Sequence, residues 1–319
     1  MTAYIILVIG FVLLIKGADF FVDGAASIAQ KLRVPGFIIG MTVVAMGTSA
    51  PECAVSITAS IRGSNGMAIS NVIGSNVFNL LVVCGMCALF SPLVIKKSTL
   101  KKEFPFSILT AVILLVLGAV GMSVNRVEGV ILLIAFVFFL SWMVLSATKA
   151  MEAGQEVESG EMKKLSNLRC VLYVIGGMAA IVVGGQMVVN SAETIALRFG
   201  MSETLVGLTI CSIGTSLPEM VTSIVAARKN QADMALGNVI GSNIFNVLLV
   251  GGLATAISPI AVTQNNLIDL GFLIAVSAYM LLLVWKRQEL RRGGGISMLV
   301  IYAAYMVYIC LRDTGFFFF

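Results

Sequence analysis

Apolar residues run through this chain in long blocks, separated by short polar or glycine-rich segments. The pattern has neither the two-residue alternation of half-buried strands nor the single stripe of a surface helix. A block of about 20 mostly apolar residues is long enough to cross a bilayer as a helix. Ten such blocks begin near Tyr4, Pro35, Met67, Phe104, Val127, Leu168, Glu203, Ala232, Leu267 and Ile296. The first, Tyr4 to Phe21, has no basic flank before it and no small-residue cleavage signal after it, so it reads as a retained span. Lys149 to Ser166, with Glu152, Glu156, Glu158, Glu161, Lys163 and Lys164, reads as a soluble linker. The pattern predicts an all-α integral membrane protein with ten transmembrane helices.

Composition agrees. Only 12% of the residues are charged and mean hydropathy is +1.01, whereas soluble domains carry about 25% charged residues. The absence of histidine removes imidazole metal sites and the Ser-His-Asp triad, and no cofactor is expected. The six cysteines lie in or beside apolar runs and imply no disulfide framework. Cys84 and Cys87 form a C-x-x-C inside an apolar helix, a poor setting for redox or metal chemistry.

A net charge of +5 could mark an anionic partner, but the basic residues are sorted by loop, which is how multispanning proteins orient themselves. Sixteen of the 21 fall in alternate loops: Lys31 and Arg33; Lys96, Lys97, Lys101 and Lys102; Lys149, Lys163, Lys164 and Arg169; Arg228 and Lys229; Lys286, Arg287, Arg291 and Arg292. The other side holds Arg62, Arg126, Arg198 and Arg312. Both termini are therefore expected outside a plasma membrane. The bilayer is the expected environment, with no nucleic acid and no obligate protein partner.

The sequence also repeats itself at an offset of 167. Gly47-Thr48-Ser49-Ala50-Pro51-Glu52 returns as Gly214-Thr215-Ser216-Leu217-Pro218-Glu219. Asn71-Val72-Ile73-Gly74-Ser75-Asn76-Val77-Phe78-Asn79 returns as Asn238-Val239-Ile240-Gly241-Ser242-Asn243-Ile244-Phe245-Asn246. Residues 1–148 and 167–319 then form two halves of five spans, joined by the linker at 149–166. Because five is odd, the second half enters the membrane from the opposite side. Such inverted repeats place transporter sites at the midplane between the halves.

Glu52 and Glu219 occupy equivalent positions within apolar runs. A carboxylate at that depth costs about 2.5 to 3.5 kcal/mol on insertion scales, so something must compensate, and a cation does so directly. A protonated pair bonded across the bundle is the plainer alternative. Each glutamate follows a proline, which removes one amide donor from the helix; opening is expected near Ala45 to Thr48 and Ser212 to Thr215. Freed carbonyls and the hydroxyls of Thr48, Ser49, Thr215 and Ser216 would supply oxygen ligands. Asn71, Ser75 and Asn79 share one helical stripe, as do Asn238, Ser242 and Asn246; for Asn71, Asn76, Asn238 and Asn243, helix-to-helix packing is as good a reading as ligation. Gly74 and Gly241 would permit close approach. An all-oxygen set selects hard cations such as calcium, with sodium as rival for the same pocket.

The paired G-T-S-x-P-E and N-x-x-G-S-N-x-x-N segments resemble the two repeats of the sodium/calcium exchanger family. The resemblance implies a ten-span antiporter that moves calcium against sodium. It implies calcium ligation by Glu52, Glu219 and the carbonyls of Thr48 and Thr215. Sodium would be held by the Ala45 carbonyl, Thr48, Ser49 and Ser75 on one side, and by the Ser212 carbonyl, Thr215, Ser216 and Ser242 on the other. Asn79 and Asn246 would line the middle, and the first and sixth spans would slide across a fixed core. Some relatives carry Asp in place of Asn246, a feature tied to potassium use, so exchange here is expected to be potassium-independent. The linker is too short for a calcium-sensing regulatory domain. Calcium/proton antiport is the alternative; those relatives show G-N-x-x-E, without the hydroxyl pair. An intramembrane hydrolase would leave the symmetric hydroxyls without a role, and a channel would conduct without counter-ion.

Overall fold

The computed structural model describes residues 2–152, 165–199 and 212–313. Most of the expected linker, the start of the seventh span, Cys211 and the Phe316 to Phe319 tail lie outside the described residues. The helices are α1 (Thr2–Leu32), α2 (Gly36–Thr48), α3 (Ala50–Ile61), α4 (Gly66–Phe90), α5 (Lys97–Ala119), α6 (Arg126–Lys149), α7 (Asn167–Arg198), α8 (Ser212–Thr215), α9 (Leu217–Arg228), α10 (Ala232–Ile257), α11 (Gln264–Trp285) and α12 (Arg292–Arg312). Eight of these are long and apolar enough to cross a bilayer alone, and α2 with α3 makes a ninth span bent by 47°. The chain is a helical, multi-pass membrane protein. Of the expected seventh span the described part is α8 and α9, interrupted at Ser216 as α2 and α3 are at Ser49.

α4 and α10 form the centre: 78% of the apolar window of each is buried, against 17 to 39% for the other unbroken spans. α10 lies against α2 at backbone distance. A Cβ on Gly241 would come within 2.7 Å of Met41 Cα, and one on Gly237 would overlap the Phe37 carbonyl. Small residues allow such approach where lipid supplies no hydrophobic drive between helices.

α1 and α7 make a separate antiparallel pair, again through glycines. A Cβ on Gly17 would meet the Gly177 carbonyl at 2.9 Å, and one on Gly10 would meet the Gly184 carbonyl at 3.0 Å. This pair reaches the core beside both helix breaks. Phe21 and Met178 close over Gly47, and Val189 over Gly214.

Two short antiparallel pairings tie the halves together. Leu93–Val94 (β1) pairs with Glu289–Leu290 (β4), and Ser123–Val124 (β2) with Ile260–Ala261 (β3). The basic segments meet at one end of the bundle: Lys31 Nζ bonds Asn167 Oδ1 at 2.6 Å, Lys96 pairs with Asp233 at 2.7 Å, and Lys229 pairs with Asp23 at 2.6 Å.

Among the described residues, three helices contain a wider, π-helical turn that sequence periodicity does not reveal: Gly40–Val44, Asn79–Val83 and Asn246–Gly251. Such turns shift the ladder by one residue and recur at functional sites. Two of the three begin at Asn79 and Asn246.

Candidate ion site

Ser49 and Ser216 stand at the two breaks with φ/ψ of −81/8° and −92/5°, in the sparsely populated bridge region between helix and strand. Each occupies the N-cap position of the helix that follows, with Pro51 or Pro218 in its first turn, where a missing N–H costs nothing. Glu52 and Glu219 lie in those same first turns, so the positive end of each helix dipole favours a carboxylate there. The opening is narrower than the sequence suggests. The Ala45 carbonyl stays in the ladder, accepting from the Ser49 amide at 3.0 Å, and has one lone pair left for another partner.

The spacing Ser-x-x-Glu is that of a capping box, yet neither serine side chain caps its own helix. Both hydroxyls reach across to the other half. Ser49 Oγ donates to Glu219 Oε1 at 2.8 Å, and Ser216 Oγ donates to Glu52 Oε1 at 3.1 Å. The two glutamates, separated by 167 positions, thereby share one site, and both are fully buried at 0% exposure. Among the described residues no lysine or arginine pairs with either. Two buried carboxylates without cationic partners are costly unless a cation joins them.

The surrounding polar atoms point the same way. Glu52 Oε2, Glu219 Oε2, Ser75 Oγ, Asn79 Oδ1 and Asn246 Oδ1 are all buried without a hydrogen-bond partner. Buried polar groups are nearly always satisfied, and with Asn243 Oδ1 the two repeat motifs contribute six orphaned oxygens. Thr48 and Ser242 are also buried, and Thr215 is half-buried.

The remaining motif asparagines hold these groups. Asn71 Nδ2 donates to Ser56 Oγ at 2.9 Å and to the Glu52 carbonyl at 3.3 Å; Asn238 Nδ2 does the same to Ser223 Oγ at 2.9 Å and the Glu219 carbonyl at 3.4 Å. At the centre, Asn76 and Asn243 exchange amide bonds with each other's backbone carbonyl, 3.1 and 3.3 Å, and Asn246 Nδ2 donates to Asn76 Oδ1 at 3.0 Å. Packing and ligand support both describe them. Ser56 and Ser223 were not visible as partners in the sequence, although both recur at the 167 offset.

Comparison with known proteins decides the family. The sodium/calcium exchanger protein family matches residues 2–145 and 170–311. The chain belongs to that family. It is 32% identical to the sodium/calcium exchanger MaX1 of Methanosarcina acetivorans, covering 95% of this chain and 97% of that one. It is 35% identical to the inner membrane protein YrbG of Escherichia coli K12, covering 92% of each. A solved structure of the sodium-calcium exchanger NCX_Mj, soaked with sodium and strontium, superposes with a TM-score of 0.84 at 31% identity, over 96% of this chain and 98% of that one. This family and fold are those of cation/calcium antiporters.

Proposed function

We propose that this protein exchanges sodium for calcium by alternating access and does not require potassium. The observation that carries the reading is the reciprocal pair Ser49 to Glu219 and Ser216 to Glu52, with unpartnered oxygens beside it. Calcium would take Glu52, Glu219 and the carbonyls of Thr48 and Thr215, two carboxylates balancing two charges. Sodium would take the Ala45 carbonyl, Thr48, Ser49 and Ser75, and the Ser212 carbonyl, Thr215, Ser216 and Ser242, sharing the glutamates, with Asn79 and Asn246 between. Both ions then compete for one pocket, and an empty pocket with two bare charges is too costly to carry across. Coupling follows from that cost.

The halves at 1–148 and 167–319 are read as inverted repeats, with the basic end of the bundle and the linker at 149–166 in the cytoplasm and both termini outside. The glycine-faced pair α1 and α7, packed over both helix breaks, is read as the sliding unit. No further protein is needed for the cycle.

The test is calcium-45 uptake into sodium-loaded proteoliposomes. Uptake should follow an outward sodium gradient, persist without potassium, and ignore a pH gradient. Glu52→Gln or Glu219→Gln should weaken calcium use by about 100-fold, since losing one partner of a buried charge assembly costs about 2–5 kcal/mol. Uptake driven by protons and indifferent to sodium would replace this reading with calcium/proton antiport.

A further inference from the structure

The hydroxyl of Thr48 has one hydrogen and two lone pairs. To act as a cation ligand it must send its hydrogen away from the ion, because a hydrogen aimed inward presents the wrong charge. In helices a threonine hydrogen usually bonds back to its own ladder. Thr48 Oγ1 has that choice, with the Val44 carbonyl at 3.2 Å and the Ala45 carbonyl at 3.4 Å. Donation to Ala45 would use the lone pair that this carbonyl still has for an ion. Besides the Glu219 carboxylate, which is also within its reach, the Thr48 hydroxyl has an acceptor on the other half of the chain at 3.1 Å, marginally nearer than the Val44 carbonyl: Asn238 Oδ1.

Asn238 is fully buried, and its amide is oriented by partners other than Thr48. Nδ2 is committed to Ser223 Oγ and the Glu219 carbonyl, so Oδ1 must face Thr48. The same Oδ1 lies 3.5 Å from Ser242 Oγ. One amide oxygen therefore accepts from hydroxyls of two different helices, both lining the ion site. In the other half Asn71 repeats half of this: its Oδ1 accepts from Thr215 Oγ1 at 3.4 Å, while Ser75 Oγ is unpartnered. Asn76 and Asn243 bond each other's backbone carbonyl, as packing glue does; Asn238, besides bonding the Glu219 carbonyl, accepts from a hydroxyl of the candidate ion site across the halves.

We propose that Asn238 is a positioning residue for sodium: it takes the hydroxyl hydrogens of Thr48 and Ser242, leaving their lone pairs and the Ala45 carbonyl for the ion. It touches no ion itself. The inference rests on the exchange reading above and adds a specificity statement to it. Calcium, held by carboxylates and carbonyls, depends less than sodium on the orientation of the Thr48 and Ser242 hydroxyls. Asn238, which also holds the Glu219 backbone carbonyl through Nδ2, therefore weighs more on sodium than on calcium.

The experiment measures half-maximal sodium and calcium concentrations for exchange in proteoliposomes, for the full chain and for Asn238→Leu, Thr48→Val and the double variant. Losing one oriented hydrogen bond should raise the sodium requirement of Asn238→Leu about fivefold to tenfold, with calcium changed less than about twofold. Because Asn238 acts partly through Thr48, adding Asn238→Leu to Thr48→Val should shift sodium by less than it does in the unsubstituted chain, the remainder passing through Ser242, a non-additivity that independent sites do not show. If Asn238→Leu fails to yield a monodisperse protein, Asn238→Ser, polar but too short to reach Thr48, carries the same comparison. Equal shifts for both ions, or fully additive shifts, would overturn the positioning role while leaving exchange intact. A wild-type chain without sodium-driven uptake would instead sink the exchange reading itself.

Discussion

A buried hydroxyl with no partner is a defect for folding and an asset for binding, and Ser75 separates the two. Its Oγ is enclosed and bonded to nothing among the described residues. Replacing an unsatisfied polar group with an apolar one of similar size is neutral or stabilising. Ser75→Ala should therefore leave the melting temperature in sodium-free, calcium-free detergent unchanged or raised by about 2 °C, while increasing the sodium needed for exchange. A fall in both would make Ser75 a structural residue. The glutamates, serines and threonines of the site are legible in the sequence because a carboxylate in an apolar run has few reasons to be there and each has a mate 167 positions away. The wiring between them is not. Nothing in the spacing Ser-x-x-Glu says that the serine will abandon its own helix and bond the glutamate of the other half, or that Asn71 and Asn238 will hold hydroxyls rather than one another. Those choices depend on which helices lie side by side, and the long-range fold decides that.

Among the elements, helix existence follows from the length of each apolar run, and, the seventh span's start lying outside the described residues, the observed starts lie within a few residues of the expected ones. Within α5 the span's own helix begins at Glu103, beside the expected Phe104, and a charged turn, Lys97–Lys101, that apolar counting ignores precedes it. Periodicity also misses the π turns, since one extra residue in a uniformly apolar run changes no pattern. A second case is Arg312, which charge counting treats only as an outside base. It closes a two-pronged ion pair from α12 to Asp269 of α11, 3.0 and 3.2 Å, and lies 5.3 Å above the Tyr308 ring. With side chains only 16% and 11% exposed, the pair lies between a surface bridge and a buried one. Asp269→Asn should cost about 1–3 kcal/mol, read as a melting temperature lower by about 2–10 °C. The ion concentrations for half-maximal exchange should stay as they are, because the pair lies outside the proposed ion site. A shift in either ion requirement would show that α11 and α12 bear on the site.

At the scale of the whole molecule, the decisive property is the sense in which the two halves are related. Sequence identity at a fixed offset shows duplication but is equally compatible with parallel repeats. Reciprocal bonds at the site, from Ser49 to Glu219 and from Ser216 to Glu52, require only that the halves face each other. Inversion makes a sharper demand: equivalent residues must lie on opposite sides of the membrane. Ser98, beside the basic start of α5, and Asn265, near the start of α11, are such a pair, both exposed and 167 positions apart. In a cysteine-free chain carrying Ser98→Cys or Asn265→Cys, a membrane-impermeant maleimide added to right-side-out vesicles should label the residue-265 thiol at once and the residue-98 thiol only after permeabilisation. The direction follows from the sixteen basic residues gathered in alternate loops, and the opposition follows from the proposed five spans per half. Labelling of both thiols from one side would mean parallel halves; the two glutamates would then enter the site from the same face, and symmetric alternating access would lose its structural basis.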